Sequence, residues 1–195
     1  MDRLRVGIAL YNAGWYLAAH EPLEELWLEA AVGERDDCLQ GLIQSSAAIY
    51  KARRGNDAGA TGLAESAIEY LTSCSGVDAE ALRSWLGDVA GDPAAARDTE
   101  PPELRLDGTA IGIYDLSPSE VVAAAEAVAE SEADTLIKSA AGYVEGDLDD
   151  EMATSPFVTL TLDYISDPTP IVRQRLAEHV ERRQARESDV EGLFE

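Results

Sequence analysis

The sequence predicts an all-α protein, built as an antiparallel helical bundle with a C-terminal helical extension. Apolar residues recur at helical spacing along most of the chain. Residue types that begin and end helices stand between these runs, and the short links they leave are typical of antiparallel neighbours. With 195 residues, of which 46% are hydrophobic, the chain is long enough to bury a core.

Residues 1–91 are expected to form the helical bundle. Its first helix can close at Gly14, because glycine readily adopts the left-handed conformation that ends helices. A second helix is predicted over about residues 16–31. Pro22 lies inside it and lacks a backbone N–H, so we expect either a kink there or a helix that begins near Glu21.

The next three helices are predicted from their capping residues. Asp36 or Asp37 can cap the third helix, Asn56 or Asp57 the fourth, and Asp78 the fifth. In each case the side-chain oxygen would accept a hydrogen bond from a backbone N–H of the first turn.

Residues 92–117 interrupt the helical pattern and are expected to be a connector rich in Pro and Gly. Within it, the stretch LRLDGTAI resembles a small hairpin with Asp107 and Gly108 as a two-residue turn. Because the flanking strands would be short, a simple extended connector is the alternative.

A C-terminal helical region is predicted over residues 118–187, followed by an acidic tail at 188–195. Its start carries a capping box, in which Ser117 and Glu120 satisfy each other's backbone N–H groups and Pro118 takes the first helical position. The stretch SPFVTLTLDYI is ambiguous between strand and helix, because its β-branched residues favour a strand but no partner strand is evident.

The last predicted helix, which starts at Thr169 and Pro170, is rich in arginine. These arginines are Arg173, Arg175, Arg182, Arg183 and Arg186. In an acidic chain such a helix is expected to lie against an acidic surface, its own or a partner's.

The formal net charge of the chain is -23, and Lys51 and Lys138 are its two lysines. Such a charge repels nucleic acid and anionic lipid, so neither is an expected partner; a homo-oligomer, a protein partner and a small-molecule partner remain open. Acidic excess with little lysine predicts a halophile's protein, adapted to a cytoplasm of molar salt. The N-terminus lacks the pattern of a signal peptide and no stretch is apolar enough to span a membrane, so a cytoplasmic location is expected.

The two cysteines, Cys38 and Cys74, have no metal-ligand spacing and suggest no disulfide framework. We therefore expect both to be small buried hydrophobic residues.

The most informative polar residues lie on the predicted second and third helices. The candidate pocket consists of His20, Glu21, Glu24, Gln40 and Gln44, flanked by Tyr16 and Trp27. Helical spacing places Tyr16, His20, Glu24 and Trp27 on one face, and Gln40 and Gln44 on one face of the next helix. If the two helices pack together, the His-Glu pair and the glutamines could meet.

Two interpretations of this cluster are open. His20 and Glu24 could bind a metal ion or act as acid and base, with a further ligand from Glu21 or Gln40. Alternatively, Glu24 accepts a hydrogen bond from His20 and the glutamines complete a buried structural network. The pattern does not match the HExxH motif of zinc proteases, and no complete catalytic set can be named.

The order of these residues resembles the domain-of-unknown-function 309 family. The shared pattern is Asn-x-Gly, then Ala-His-Glu-x-x-Glu-x-x-Trp, then Leu-Gln-Gly-Leu-Ile-Gln, and it covers roughly the first 70 residues. The matching positions are Asn12, Gly14, His20, Glu21, Glu24, Trp27, Gln40, Gly41 and Gln44. The resemblance implies a small helical protein without an agreed activity, in which Asn12, Gly14 and Gly41 would be structural and the polar residues would share a pocket.

The leading functional prediction is a non-enzymatic module that binds a ligand or partner through this polar cluster. The alternative is a metal-dependent hydrolase that uses His20 and Glu24 as ligands, or His20 as a base oriented by Glu24. No cofactor can be named from the sequence.

Overall fold

A computed structural model describes residues 1–152 and 155–191. The chain divides into two compact units, Met1–Asp115 and Leu116–Glu195. The predicted all-α class is confirmed, since the described residues form nine α-helices and one small hairpin.

The first unit contains five α-helices, a hairpin and three short 3₁₀ turns. The helices are α1 (Arg3–Asn12), α2 (Tyr16–Glu29), α3 (Asp37–Arg53), α4 (Asp57–Tyr70) and α5 (Glu80–Gly91). The strands are β1 (Arg105–Leu106) and β2 (Thr109–Ala110), and the 3₁₀ turns are Leu71–Ser73, Ala95–Arg97 and Ile113–Asp115.

Each helix of the first unit packs against the next along the chain. The core between them is made mainly of aliphatic side chains and alanine, including Ile8, Leu10, Leu23, Leu42, Ile49, Leu82 and Leu86. Helices α1 and α2 approach closely because Gly7 has no side chain: a Cβ there would lie 2.5 Å from Leu23 Cδ2. The short links and the capping residues thus produce the expected bundle.

Most of the predicted helix ends are confirmed. Asp36 caps α3 and Asn56 caps α4, each accepting a hydrogen bond from a first-turn N–H. Gly14, two residues after the end of α1, has a φ of 84°, which is the left-handed conformation expected of it. Asp78, however, is not the cap of α5: that position is held by Ala79, whose side chain cannot accept a hydrogen bond.

The second helix runs unbroken from Tyr16 to Glu29, so the alternative start near Glu21 is wrong. Pro22 is buried within α2, together with Ala18 and Leu23. Burial of these apolar residues against the bundle offsets the backbone hydrogen bond that the proline removes.

Cys38 and Cys74 form a disulfide bond, which corrects the expectation that no disulfide is present. The bridge joins the first turn of α3 to the segment just after the 3₁₀ turn Leu71–Ser73. The two cysteines are 36 positions apart in the sequence. No local pattern signals such a pairing, because it depends on how α3 and α4 pack.

The predicted hairpin is also present, with Arg105 opposite Ala110 and Leu106 opposite Thr109. Its turn residues Asp107 and Gly108 both have positive φ, of 48° and 77°, as a type I′ turn requires. The hairpin belongs to the first unit together with the rest of residues 92–115.

The second unit contains the remaining helices, α6 (Pro118–Glu132), α7 (Thr135–Asp149), α8 (Pro156–Ser166) and α9 (Pro170–Glu191). The capping box at the start of α6 is confirmed: Glu120 Oε2 accepts from the Ser117 backbone N–H at 2.8 Å. Residues 188–191, expected as the start of an acidic tail, continue α9, and residues 192–195 lie outside the described part.

The ambiguous stretch before residue 166 is helical. Ser155 caps α8 by accepting from the Phe157 N–H, and Pro156 takes the first helical position. Phe157, Thr161 and Ile165 are buried on one face of this helix. Burial against α6 and α7 therefore outweighs the strand preference of its β-branched residues.

No α-helix in residues 1–152 and 155–191 combines the length and the hydropathy needed to cross a lipid bilayer.

Candidate functional site on helix α2

His20 and Glu24 lie one helical turn apart on the accessible side of α2. The His20 Nδ1 atom is 3.8 Å from Glu24 Oε2, and the two side chains are 32% and 50% exposed. This distance is too long for a hydrogen bond. Within the described part of the chain neither side chain has another hydrogen bond or ion pair. The pair is therefore available to an external group.

Tyr16 and Trp27, the two aromatic residues predicted to flank the pair, lie on α2 one turn before His20 and one turn after Glu24. The Trp27 ring is half-buried and lies 4.0 Å from the guanidinium carbon of Arg35, which contacts its face. At the other end, the buried Tyr16 ring meets Tyr11 edge-on with a centroid distance of 5.4 Å. Trp27 is thus the accessible flank of the site, whereas Tyr16 is part of the core.

The two buried tyrosines have perturbed acidities. Burial raises the pKa of the Tyr16 hydroxyl, and the positive charge of Arg53 opposes this effect. Burial likewise raises the pKa of Tyr11 far above its ordinary value, so both side chains are neutral at physiological pH. Tyr11 Oη is also buried without a hydrogen-bond partner among the described residues.

The glutamines lie on α3, which packs against α2. Gln40 and Gln44 are both half-buried, and Gln44 Oε1 is buried without a hydrogen-bond donor in the described residues. No hydrogen bond joins either glutamine to His20 or Glu24 among the residues that the structure describes. Glu21 is half-buried and has its own interaction partner. The predicted hydrogen bonds between the His20–Glu24 pair and the two glutamines are therefore not formed among the described residues.

Three motif residues have clear packing roles. Asn12 donates from Nδ2 to the carbonyl oxygens of Leu104 and Ile111, at 2.9 and 3.0 Å, and its Oδ1 accepts from the Leu104 N–H at 2.8 Å. It thereby fixes the hairpin segment to the end of α1. Gly41 lets α3 approach the 3₁₀ turn, since a Cβ there would lie 2.7 Å from the Leu71 side chain. Gly14 supplies the left-handed residue after α1.

A metal centre is not supported by the surroundings of the pair. The described residues contain no group of three or more His, Cys, Asp or Glu side chains that could hold a metal ion. His20 and Glu24 could supply two donors, whereas protein zinc sites use at least three.

The role of Arg35 beside Trp27 was not predicted from the sequence. Arg35 lies in the link between α2 and α3, where no periodicity relates it to the helix face. Its placement follows from the turn of the chain after Glu29, and its Nε donates to the Ala30 carbonyl oxygen at 3.5 Å. A cation near an aromatic residue in the sequence would have been a weak signal.

The first unit is thus a helical bundle with a partly exposed polar pair, His20 and Glu24, on α2. Residues 4–63 of this chain match the model of the family described as "Domain of unknown function (DUF309)". The resemblance predicted from the Asn-x-Gly, Ala-His-Glu and Leu-Gln-Gly patterns is thereby confirmed for the N-terminal part of the chain.

The chain is also similar to an uncharacterised protein of Aquifex aeolicus (strain VF5). The two are 28% identical over 99 residues, which is 49% of this chain and 29% of the relative. The match thus spans well under half of the relative's length. No solved structure matches the chain.

Proposed function

We propose that the first unit is a non-enzymatic binding module whose recognition face is formed by His20, Glu24 and Trp27. The observation that carries this proposal is the accessible pair itself: an imidazole and a carboxylate, 3.8 Å apart, that no internal hydrogen bond occupies. The buried structural network that would otherwise explain these side chains is not formed, since both are partly exposed.

The chemistry of this face indicates the kind of group it would bind. Glu24 offers a hydrogen-bond acceptor with negative charge, and His20 can donate or accept. Trp27 is half-buried and Arg35 covers one face of its ring, and the rest of the ring offers an aromatic surface that an apolar or planar group can contact. A ligand with an amine, guanidine or hydroxyl group beside a flat or apolar body fits this arrangement.

The proposal includes a working environment of molar salt and a cytoplasmic location. The molar-salt environment is supported by the net charge of -23 and by the scarcity of lysine. A partner would therefore be recognised under strong screening, where close hydrogen bonds and apolar contacts outweigh long-range attraction.

A fragment screen tests the module. Amines, guanidines and hydroxylated aromatic compounds would be screened by thermal shift in molar KCl against the full chain and the variants His20→Ala and Glu24→Gln. We expect both variants to fold with nearly unchanged stability, within about 0.5 kcal/mol, because both side chains are partly exposed and have no internal hydrogen bond. Fragments that stabilise the natural chain should fail to stabilise them.

Glu65→Gln is the matched control, because Glu65 is an exposed carboxylate on α4 far along the chain from α2. It should bind the same fragments as the natural chain. A loss of stability of about 1–3 kcal/mol in Glu24→Gln would instead indicate a structural hydrogen bond.

Elemental analysis of untagged protein tests the alternative function, a metal-dependent hydrolase. A stoichiometric transition metal that is lost in His20→Ala would favour that function.

A further inference from the structure

The arginine-rich helix α9 uses two of its arginines within its own unit. Arg173 forms an ion pair with Asp134 and donates to Tyr164 Oη at 2.7 Å. Arg183 forms an ion pair with Asp147, at 3.1 Å, although the Asp147 side chain is only 1% exposed. The basic helix therefore contacts acidic residues of its own unit, Asp134 and Asp147, as the sequence predicted.

The other three arginines lie elsewhere on α9 and have no such partners. Arg175, Arg182 and Arg186 recur with His179 every three or four residues, so the four side chains form one stripe, which we call the basic stripe. All three arginines are exposed. The stripe extends over about 16 Å of helix.

The hydrogen bonds of the basic stripe remain within the helix. Arg182 Nε donates to the Glu178 carbonyl oxygen at 2.9 Å, and Arg186 Nε donates to the Arg182 carbonyl oxygen at 3.2 Å. Arg182 also contacts His179 Nδ1, at 2.9 Å. Within the described part of the chain, no carboxylate forms an ion pair with Arg175, Arg182 or Arg186. These three arginines thus form no internal ion pair in the described residues, although the chain carries a net charge of -23.

An acidic stripe runs beside the basic one. Glu178, Glu181 and Asp189 are exposed and share the adjoining face of α9. Ile171 is 66% exposed on this same side, near the start of the helix. The outer surface of α9 therefore carries opposite charges side by side, with an apolar residue at one end.

We propose that this outer surface of α9 binds the same surface of a second copy of the chain in parallel orientation, about a twofold axis that runs along the two helices. A twofold axis would place the basic stripe of each copy on the acidic stripe of the other, so every favourable contact would occur twice. Nucleic acid is the less suitable occupant, because the net charge of the chain repels phosphate. In molar salt this same charge no longer keeps two copies apart, since the Debye length is roughly 3 Å.

Analytical ultracentrifugation of the full chain in molar KCl tests the proposal. We expect a monomer–dimer equilibrium in the natural chain. Reversing one charge in Arg182→Glu should weaken the dimer about tenfold or more, because each reversal acts at two symmetric places. Circular dichroism would verify that the variant is folded.

A charge swap provides the control. The double variant Arg182→Glu/Glu178→Arg exchanges the two stripes locally and should restore dimerisation. A natural chain that stays monomeric at high concentration would overturn the proposal, as would a dimer that Arg182→Glu leaves unchanged. Binding of a labelled oligonucleotide by a monomeric chain, lost in Arg182→Glu, would assign the stripe to nucleic acid instead.

Discussion

At the scale of single residues, the motif near the N-terminus separates into two groups. Asn12, Gly14 and Gly41 have roles that the fold explains: a hydrogen-bonded anchor, a left-handed turn and a close approach. His20 and Glu24 have no such role, because they are partly exposed and make no internal hydrogen bond in the described residues. The recognition function proposed above is our hypothesis for the second group.

The close approach at Gly41 leads to a prediction about stability. Gly41→Ala would place a methyl group 2.7 Å from the buried Leu71 side chain, with the Leu71 backbone nitrogen at 3.0 Å. We expect it to lower the free energy of unfolding by about 1–3 kcal/mol, since overpacking of this kind outweighs the better helix propensity of alanine. Urea unfolding in molar KCl measures the change.

Gly62→Ala is the matched control for this substitution. Gly62 also lies inside a helix, α4, but a Cβ there has no neighbour within 4 Å. This variant should be more stable than the natural chain by about 0.4–1 kcal/mol. Equal effects of the two substitutions would contradict the packing role of Gly41.

At the scale of the elements, two features hold α3 against the segment that follows α4. Gly41 permits the contact with Leu71, and the Cys38–Cys74 disulfide closes the same region covalently. The bridge is at odds with the reduced cysteines expected of a cytoplasmic protein, because intracellular disulfides are rare outside hyperthermophiles. Whether the disulfide forms in cells therefore bears on the proposed cytoplasmic location.

Loss of the disulfide should destabilise the protein. The double variant Cys38→Ser/Cys74→Ser opens a loop whose ends are 36 positions apart, and we expect the free energy of unfolding to fall by about 3–4 kcal/mol. Reductant should lower the stability of the natural chain by a similar amount and leave the variant unchanged. Two thiols that react with an alkylating reagent in freshly lysed cells would show instead that the bridge is absent there.

At the scale of the whole molecule, the excess of acidic residues is the dominant property. The chain carries 38 Asp and Glu against 15 Lys and Arg. The second unit uses Asp134 for an internal ion pair: burial opposes ionisation, but hydrogen bonds from Arg173 and Tyr164 outweigh it, so the pKa of Asp134 is lowered. Most other carboxylates face solvent, where they repel one another.

This repulsion predicts that salt stabilises the fold. The melting temperature should rise as KCl increases from dilute to molar, since screening shortens the Debye length from about 10 Å at 0.1 M to about 3 Å at 1 M. Differential scanning fluorimetry across a KCl series measures the effect. A sucrose series is the control, because sucrose favours compact states without screening charge. A flat or falling KCl curve would refute the adaptation to molar salt.

Local sequence was sufficient wherever a structure depends on residues a few positions apart. The caps at Asp36 and Asn56, the turn at Asp107–Gly108 and the capping box at Ser117 were predictable because their partners lie within three positions. Helical periodicity likewise determined the fold class, since it decides which side of each helix is apolar.

Tertiary structure decided the features that join distant parts of the chain. The disulfide, the anchor from Asn12 to Leu104 and the contact of Gly41 with Leu71 depend on how helices pack, and no local pattern records this. The same holds for the candidate site: spacing placed His20 and Glu24 on one face of α2, but only packing determined that this face remains accessible. Helix periodicity defines faces, whereas burial depends on which neighbour covers them.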